Sequence, residues 1–112
     1  MKEIKAIVQP FMLEKILDAL RGIEDLPGLT VSEVRGFGRT RGRAADAAAD
    51  SPVEYVKKAK VEVVVPDALA EKVVRVIEES ARTGNIGDGK IFVHQVDEVI
   101  RIRTGERGEA AI

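Results

Sequence analysis

Residues 59–69 read Ala59-Lys60-Val61-Glu62-Val63-Val64-Val65-Pro66-Asp67-Ala68-Leu69. The β-branched run with alternating Lys60 and Glu62 predicts a strand over 59–65. Pro66-Asp67 then opens a helix, because proline's fixed φ suits a first turn that has no N–H to lose. Leu69, Val73, Val76, Ile77 and Ala81 recur at helical spacing and form its buried stripe. Gly84 suits the left-handed position after the helix end, and Lys90 to Val96 reads as the next strand.

The same pattern precedes this unit. Ile4, Ala6 and Val8 alternate with Lys5 and Gln9, a first strand. Leu13, Ile16, Leu17 and Leu20 mark one helix face, which Gly22 and Leu26-Pro27-Gly28 end. Leu29 to Arg35 is the second strand and runs into Gly36-Phe37-Gly38-Arg39. After the fourth strand, 99–103 reads as a short extended piece and 104–112 as a polar tail. Strand, helix, strand, strand, helix, strand is the order of a ferredoxin-like βαββαβ sandwich, an α+β fold in one domain, 1–112. Two helices cover one face of such a sheet. Ile7, Val64 and Phe92 fall on the face opposite Ala6, Val63 and Val93, so a second apolar face needs cover and homo-oligomerisation is expected.

Residues 40–55 differ from the rest. Alanine, Asp46, Asp50, Ser51 and Pro52 dominate and large apolar residues are scarce, so a flexible loop between strands 2 and 3 is expected. At that length such loops tend to carry function.

Composition narrows the function. Eighteen Lys and Arg stand against 19 Asp and Glu, so the basic excess of a general nucleic-acid binder is missing. Aromatics are 4% of the chain and the third strand has none, which removes the stacking platforms of an RNA-binding sheet. With no cysteine and one histidine, His94, neither a disulfide scaffold nor a zinc site of Cys and His ligands is expected. No apolar run reaches the ~20 residues of a membrane span, so the cytoplasm is the expected compartment, without membrane insertion. No nucleophile–base constellation is legible, so no enzyme activity is expected.

Three elements suit an anionic ligand. In Thr83-Gly84-Asn85-Ile86-Gly87-Asp88-Gly89-Lys90 the glycines let backbone N–H groups approach phosphate oxygens, and Lys90 adds charge. The spelling mimics a Walker A loop. However, Ile91 stands where Ser or Thr must hold magnesium, and the loop leads from helix to strand, the reverse of a P-loop. A plain helix-to-strand turn is the competing reading. Gly36-Phe37-Gly38-Arg39 permits close backbone approach at a strand end, or is simply a loop entry. Arg101-Ile102-Arg103, if extended, puts two guanidinium groups on one face with Ile100 and Ile102 turned inward. An exposed charged face is the alternative.

These residues carry a resemblance. The stretches 83–93, 99–106 and 29–39 resemble the C-terminal signature and two further blocks of the PII signal-transduction family, and the similarity runs nearly the whole length. The resemblance implies a homotrimer that binds ATP or ADP, with Mg a companion of ATP, in clefts between subunits. Gly87, Asp88, Gly89 and Lys90 would hold phosphates, and Arg101 and Arg103 would reach in from the neighbour. Thr30 and Val64 would contact the base region, and Gly36, Phe37, Gly38 and Arg39 would line the cleft. It further implies control of a regulated enzyme or membrane transporter through loop 40–55, in nitrogen regulation.

Two departures stand out. Thr40 occupies the place of a glutamine that helps hold magnesium and 2-oxoglutarate. Its hydroxyl is shorter, which weighs against that oxoacid, although Lys58 aligns with a lysine used near it. In the modification segment only Glu54-Tyr55 fits, and Tyr55 sits near the strand, where a poorly exposed hydroxyl and no modification are expected. The alternative is therefore a divergent relative that senses energy state and regulates a different transporter, for metal or bicarbonate, without oxoacid response or tyrosine modification.

Overall fold

A computed structural model describes residues 1–37 and 55–112. The elements are β1 (Lys2–Val8), a 3-10 turn (Pro10–Met12), α1 (Leu13–Arg21), β2 (Thr30–Gly36), β3 (Val56–Val65), α2 (Asp67–Ala81), β4 (Gly89–Gln95) and a second 3-10 turn (Gly108–Ala111). The sheet order is β2-β3-β1-β4 and every neighbouring pair is antiparallel. This is the ferredoxin-like α+β sandwich that the sequence pattern predicts.

Register explains the core. Ile4 pairs with Val63 on one side and Val93 on the other, and Ala6 pairs with Val61 and Ile91. Paired residues share a face of the sheet, so these side chains point together toward the helices. Ile4, Ala6, Val61, Ile16, Leu20 and Val73 are fully buried there. Each large aliphatic so enclosed stabilises the fold by roughly 1.5–3 kcal/mol of transfer free energy. Pro66 caps α2, and its carbonyl accepts a hydrogen bond from Leu69 N at 3.0 Å.

The other face carries Lys5, Ile7, Thr30, Glu62, Val64, Phe92 and His94. Ile7, Val64 and Phe92 lie there as the alternation requires, and Phe92 is 43% exposed. No helix of the described residues covers this side.

Three boundaries differ from the sequence reading. β2 runs from Thr30 through Gly36, and β4 starts one residue early, at Gly89. β3 begins at Val56, because Val56, Lys57 and Lys58 pair with Gly36, Arg35 and Val34 beyond the end of β1.

The larger correction concerns residues 101–105, which turn rather than continue extended. The Arg101 carbonyl accepts hydrogen bonds from Thr104 N at 3.3 Å and Gly105 N at 2.7 Å, and Ile100 bridges to Arg107. Gly105 and Gly108, with φ of 75° and 80°, take left-handed conformations in this reversal. The strand alternation that would align Arg101 with Arg103 is therefore absent, and Ile102 is 98% exposed rather than turned inward. The tail also returns to the body, where Ala111 is buried.

Candidate functional site

One cluster forms at the sheet end where β1 finishes and β4 begins, since Val8 pairs with Gly89. The chain leaves α2 at Arg82 and crosses to β4 through Gly84, Gly87 and Gly89, whose φ values are 87°, 101° and 105°. Gly89 is fixed by space as well as conformation, whereas the contact at Gly87 is with the end of a flexible side chain. A Cβ on Gly89 would lie 1.7 Å from the Ile7 carbonyl oxygen, and one on Gly87 would lie 2.9 Å from Gln9 Nε2.

Asp88 staples this loop. Its carboxylate accepts hydrogen bonds from Thr83 N at 2.8 Å, Gly84 N at 2.9 Å and the Thr83 hydroxyl. The Thr83 hydroxyl first and then the Thr83 amide hold its pKa below the ordinary 3.8 against the opposing effect of desolvation, with lesser help from the Gly84 amide and the charge of Lys58. A carboxylate engaged in this way shapes the loop. Lys58 fastens the loop to β3 by donating from Nζ to the Gly87 carbonyl oxygen at 2.7 Å. Lys90 is exposed at the loop's exit, and a groove of about 420 Å³ beside it is lined by Val74, Arg82, Asp88, Lys90 and Ile91.

Gly36 and Phe37 reach the same end, because Gly36 pairs with Val56, two residues before Lys58. Phe37 meets Tyr55 edge to face, ring centroids 5.5 Å apart. Tyr55 is 55% exposed, so its expected shielding at the loop base is not observed. Gly38, Arg39, Thr40 and nearly all of loop 40–55 lie outside the described residues.

A second cluster lies toward the other end. Val64 is six residues along β3 from Lys58, about 20 Å at strand rise. A groove of about 360 Å³ is lined by Glu3, Gly28, Thr30, Glu62, Val64 and Ile112. Gly28 and Glu62 join this groove without a sequence signal of their own. Thr30 pairs with Glu62 across β2 and β3, and nothing in either segment alone announces that register. Arg101 and Arg103 follow the end of β4, which pairs at Gln95 with Lys2, the start of β1. Arg101 donates to Glu106 Oε1 at 3.0 Å. Arg103 is exposed, without a hydrogen bond or ion pair among the described residues.

Ten of the twelve residues expected to bind nucleotide thus fall into separate groups within one chain, and the other two, Gly38 and Arg39, lie outside the described residues. Gly36, Phe37, Gly87, Asp88, Gly89 and Lys90 share one sheet end, while Thr30, Val64, Arg101 and Arg103 lie toward the other. No group of three metal-ligating side chains occurs among the described residues. His94 faces Glu3 at 3.7 Å on the open side of the sheet. No helix of the described residues is long and apolar enough to cross a membrane.

The fold and its stapled glycine loop define a small ferredoxin-like α+β protein with a groove beside the loop and another toward the opposite end of the sheet. The family model described as nitrogen regulatory protein P-II matches residues 1–106. The nitrogen regulatory protein P-II of Rhodospirillum rubrum is 49% identical and that of Rhizobium meliloti 50%, and P-II 1 of Escherichia coli K12 is 48% identical, each alignment covering 100% of both chains. The crystal structure of Arabidopsis thaliana PII bound to citrate superposes with a TM-score of 0.80 at 44% identity, covering 99% of this chain and 91% of that one. The chain belongs to the nitrogen regulatory protein P-II family, whose members are signal-transduction regulators.

Proposed function

We propose that this protein is a non-enzymatic regulator that binds ATP or ADP in clefts between the copies of a homotrimer, in the cytoplasm. It then controls an enzyme or a membrane transporter through loop 40–55. The observation that carries this reading is the separation of the two clusters. The preorganised loop Gly87-Asp88-Gly89-Lys90 leads into β4 at one end, whereas the Arg101–Arg103 segment follows its other end at Gln95, and β4 itself spans about 20 Å. One chain cannot close both on one ligand, whereas two copies meeting across their open faces can.

In this arrangement Gly87 and Gly89 amides and Lys90 take phosphate oxygens from one side. Arg101 and Arg103 take them from the other, and Thr30 and Val64 of that second copy bound the base. Asp88 acts through its staple, with the loop's backbone turned to the ligand. Arg39 and Gly38 complete the cleft at the root of the loop. The Arabidopsis relative binds citrate, a tricarboxylate, which supports anions as the ligand class. Mg accompanies ATP through the phosphates.

Thr40 favours a form of this reading without 2-oxoglutarate, in which Lys58 serves the glycine loop as seen here. The regulated process is nitrogen metabolism, and a transporter for metal or bicarbonate is the alternative that Thr40 raises. Calorimetric titration of ATP and ADP, with and without magnesium and 2-oxoglutarate, tests both statements. Nucleotide binding without an oxoacid response is expected. An oxoacid response dependent on Mg-ATP would restore ordinary nitrogen sensing, and no binding of either nucleotide would overturn the reading.

A further inference from the structure

Arg101 and Arg103 stand two residues apart and differ in what they hold. Arg103 has no hydrogen bond or ion pair among the described residues. Arg101 is engaged on both arms of its guanidinium. Nη1 donates to Glu106 Oε1 at 3.0 Å, and Nη2 donates to the Ala110 carbonyl at 3.3 Å and to Ile112 O at 3.4 Å. The turn itself delivers Glu106 to this position. Arg101 N donates to the Glu106 carbonyl at 2.9 Å, the Thr104 hydroxyl donates to Glu106 Oε1 at 2.9 Å, and Glu106 N donates to the Thr104 hydroxyl at 3.2 Å.

A carboxylate oxygen and a phosphate oxygen compete for the same guanidinium N–H, here on Nη1, where Glu106 Oε1 sits. We infer that Glu106 is a built-in competitor for phosphate at the Nη1 arm of Arg101, holding that arm in the free protein and giving way when a polyphosphate arrives. The inference rests on the nucleotide reading and adds a regulation of that same site. The pair is 37% and 45% exposed, and ion pairs so open to water are weak enough to be displaced. The cost of displacement is charged to each binding event, so Glu106 lowers the affinity for ATP. Arg103, with no such partner, makes the first contact.

The test is calorimetric titration of ATP into wild type, E106Q, R101A and the double variant R101A/E106Q, with unfolding midpoints as the check on folding. Glutamine keeps an acceptor for Thr104 and removes the competing charge. E106Q is expected to bind ATP about two- to fivefold more tightly than wild type, the range set by a part-exposed ion pair. In the R101A background the same substitution is expected to leave affinity unchanged, because the competition runs through Arg101. Equal or weaker binding by E106Q would make Glu106 a positioning residue for Arg101 and overturn the inference. A gain that persists without Arg101 would reduce it to general repulsion and overturn it too. In either case the nucleotide reading stands if wild type binds ATP. Failure of wild type to bind ATP removes that reading and the inference with it.

Discussion

Lys58, on β3, donates a hydrogen bond from Nζ to the carbonyl oxygen of Gly87, 2.7 Å away. It ties the central sheet to a loop 29 residues further along the chain. Replacing it with methionine keeps most of the apolar stem and removes the tie. The fold is expected to lose about 1 kcal/mol, the net value of one part-exposed hydrogen bond. Amide exchange across Gly84–Gly89 is expected to quicken and ATP affinity to fall severalfold. Unchanged exchange in K58M would mean that the loop holds its shape without the sheet.

Asp88 supplies the loop's second restraint, and its charge gives that restraint a pH dependence. Its pKa is lower in the folded chain than the ordinary 3.8, chiefly through the Thr83 hydroxyl and amide hydrogen bonds. A carboxylate depressed on folding contributes stability that is complete above its unfolded value. That contribution is lost as pH falls through the folded value. Amide protection at Thr83 and Gly84 is therefore expected to be flat from neutral pH to about pH 4.5 and to fall in more acid solution. D88N is expected to show weaker protection at neutral pH and no such acid step. Hydrogen exchange followed by NMR distinguishes the two profiles.

Glycine is obligatory at 89 and optional at 36. At Gly89 a Cβ would meet the Ile7 carbonyl oxygen at 1.7 Å with φ at 105°, whereas at Gly36 nothing among the described residues lies within 4 Å. G89A is expected to cost more than about 3 kcal/mol, because the β1–β4 pairing must shift. G36A is expected to stay within about 0.5 kcal/mol of wild type. Urea unfolding of the two variants measures this contrast directly, and similar values would mean that β1 and β4 can part at little cost.

Phe92 is 43% exposed on the sheet face that no helix covers. Three copies packed through these faces would enclose Ile7, Val64 and Phe92. Sedimentation of the wild type is expected to give three times the 12.2 kDa of the chain. F92E is expected to give folded monomers, since a charge buried in that interface lacks a partner. A wild-type monomer, or an F92E trimer, would place any assembly elsewhere.

The fold was legible because its two periodicities are clean. Ile4, Ala6 and Val8 alternate while Leu13, Ile16, Leu17 and Leu20 recur as a helix face, and the structure buries Ile4, Ala6, Val8, Ile16 and Leu20. The start of β3 was hidden by Lys57 and Lys58, whose strand conformation comes from pairing with β2 rather than from burial. Ile100-Arg101-Ile102-Arg103 alternates like a strand yet turns. Local hydrogen bonds around the Arg101 carbonyl and the left-handed Gly105 outweigh the pattern. The glycine loop announced itself through its composition. The stapling role of Asp88 and the Arg101–Glu106 pair did not, because each depends on how a turn folds back on itself. Glu62 joined the Thr30 groove only through strand register.

The central claim is that a nucleotide site is built from opposite ends of two different copies. It is tested most directly by mixing two inactive variants. K90A lacks the lysine of one half and R103A the arginine of the other, and each alone is expected to bind ATP poorly. Equal amounts of the two, unfolded and refolded together, form mixed trimers in which about one cleft in four joins an intact Lys90 to an intact Arg103. The account predicts that calorimetry of the mixture recovers wild-type affinity in about a quarter of the sites. No recovery from trimers shown to be mixed would mean that Lys90 and Arg103 serve within one chain or not at all, and would contradict it.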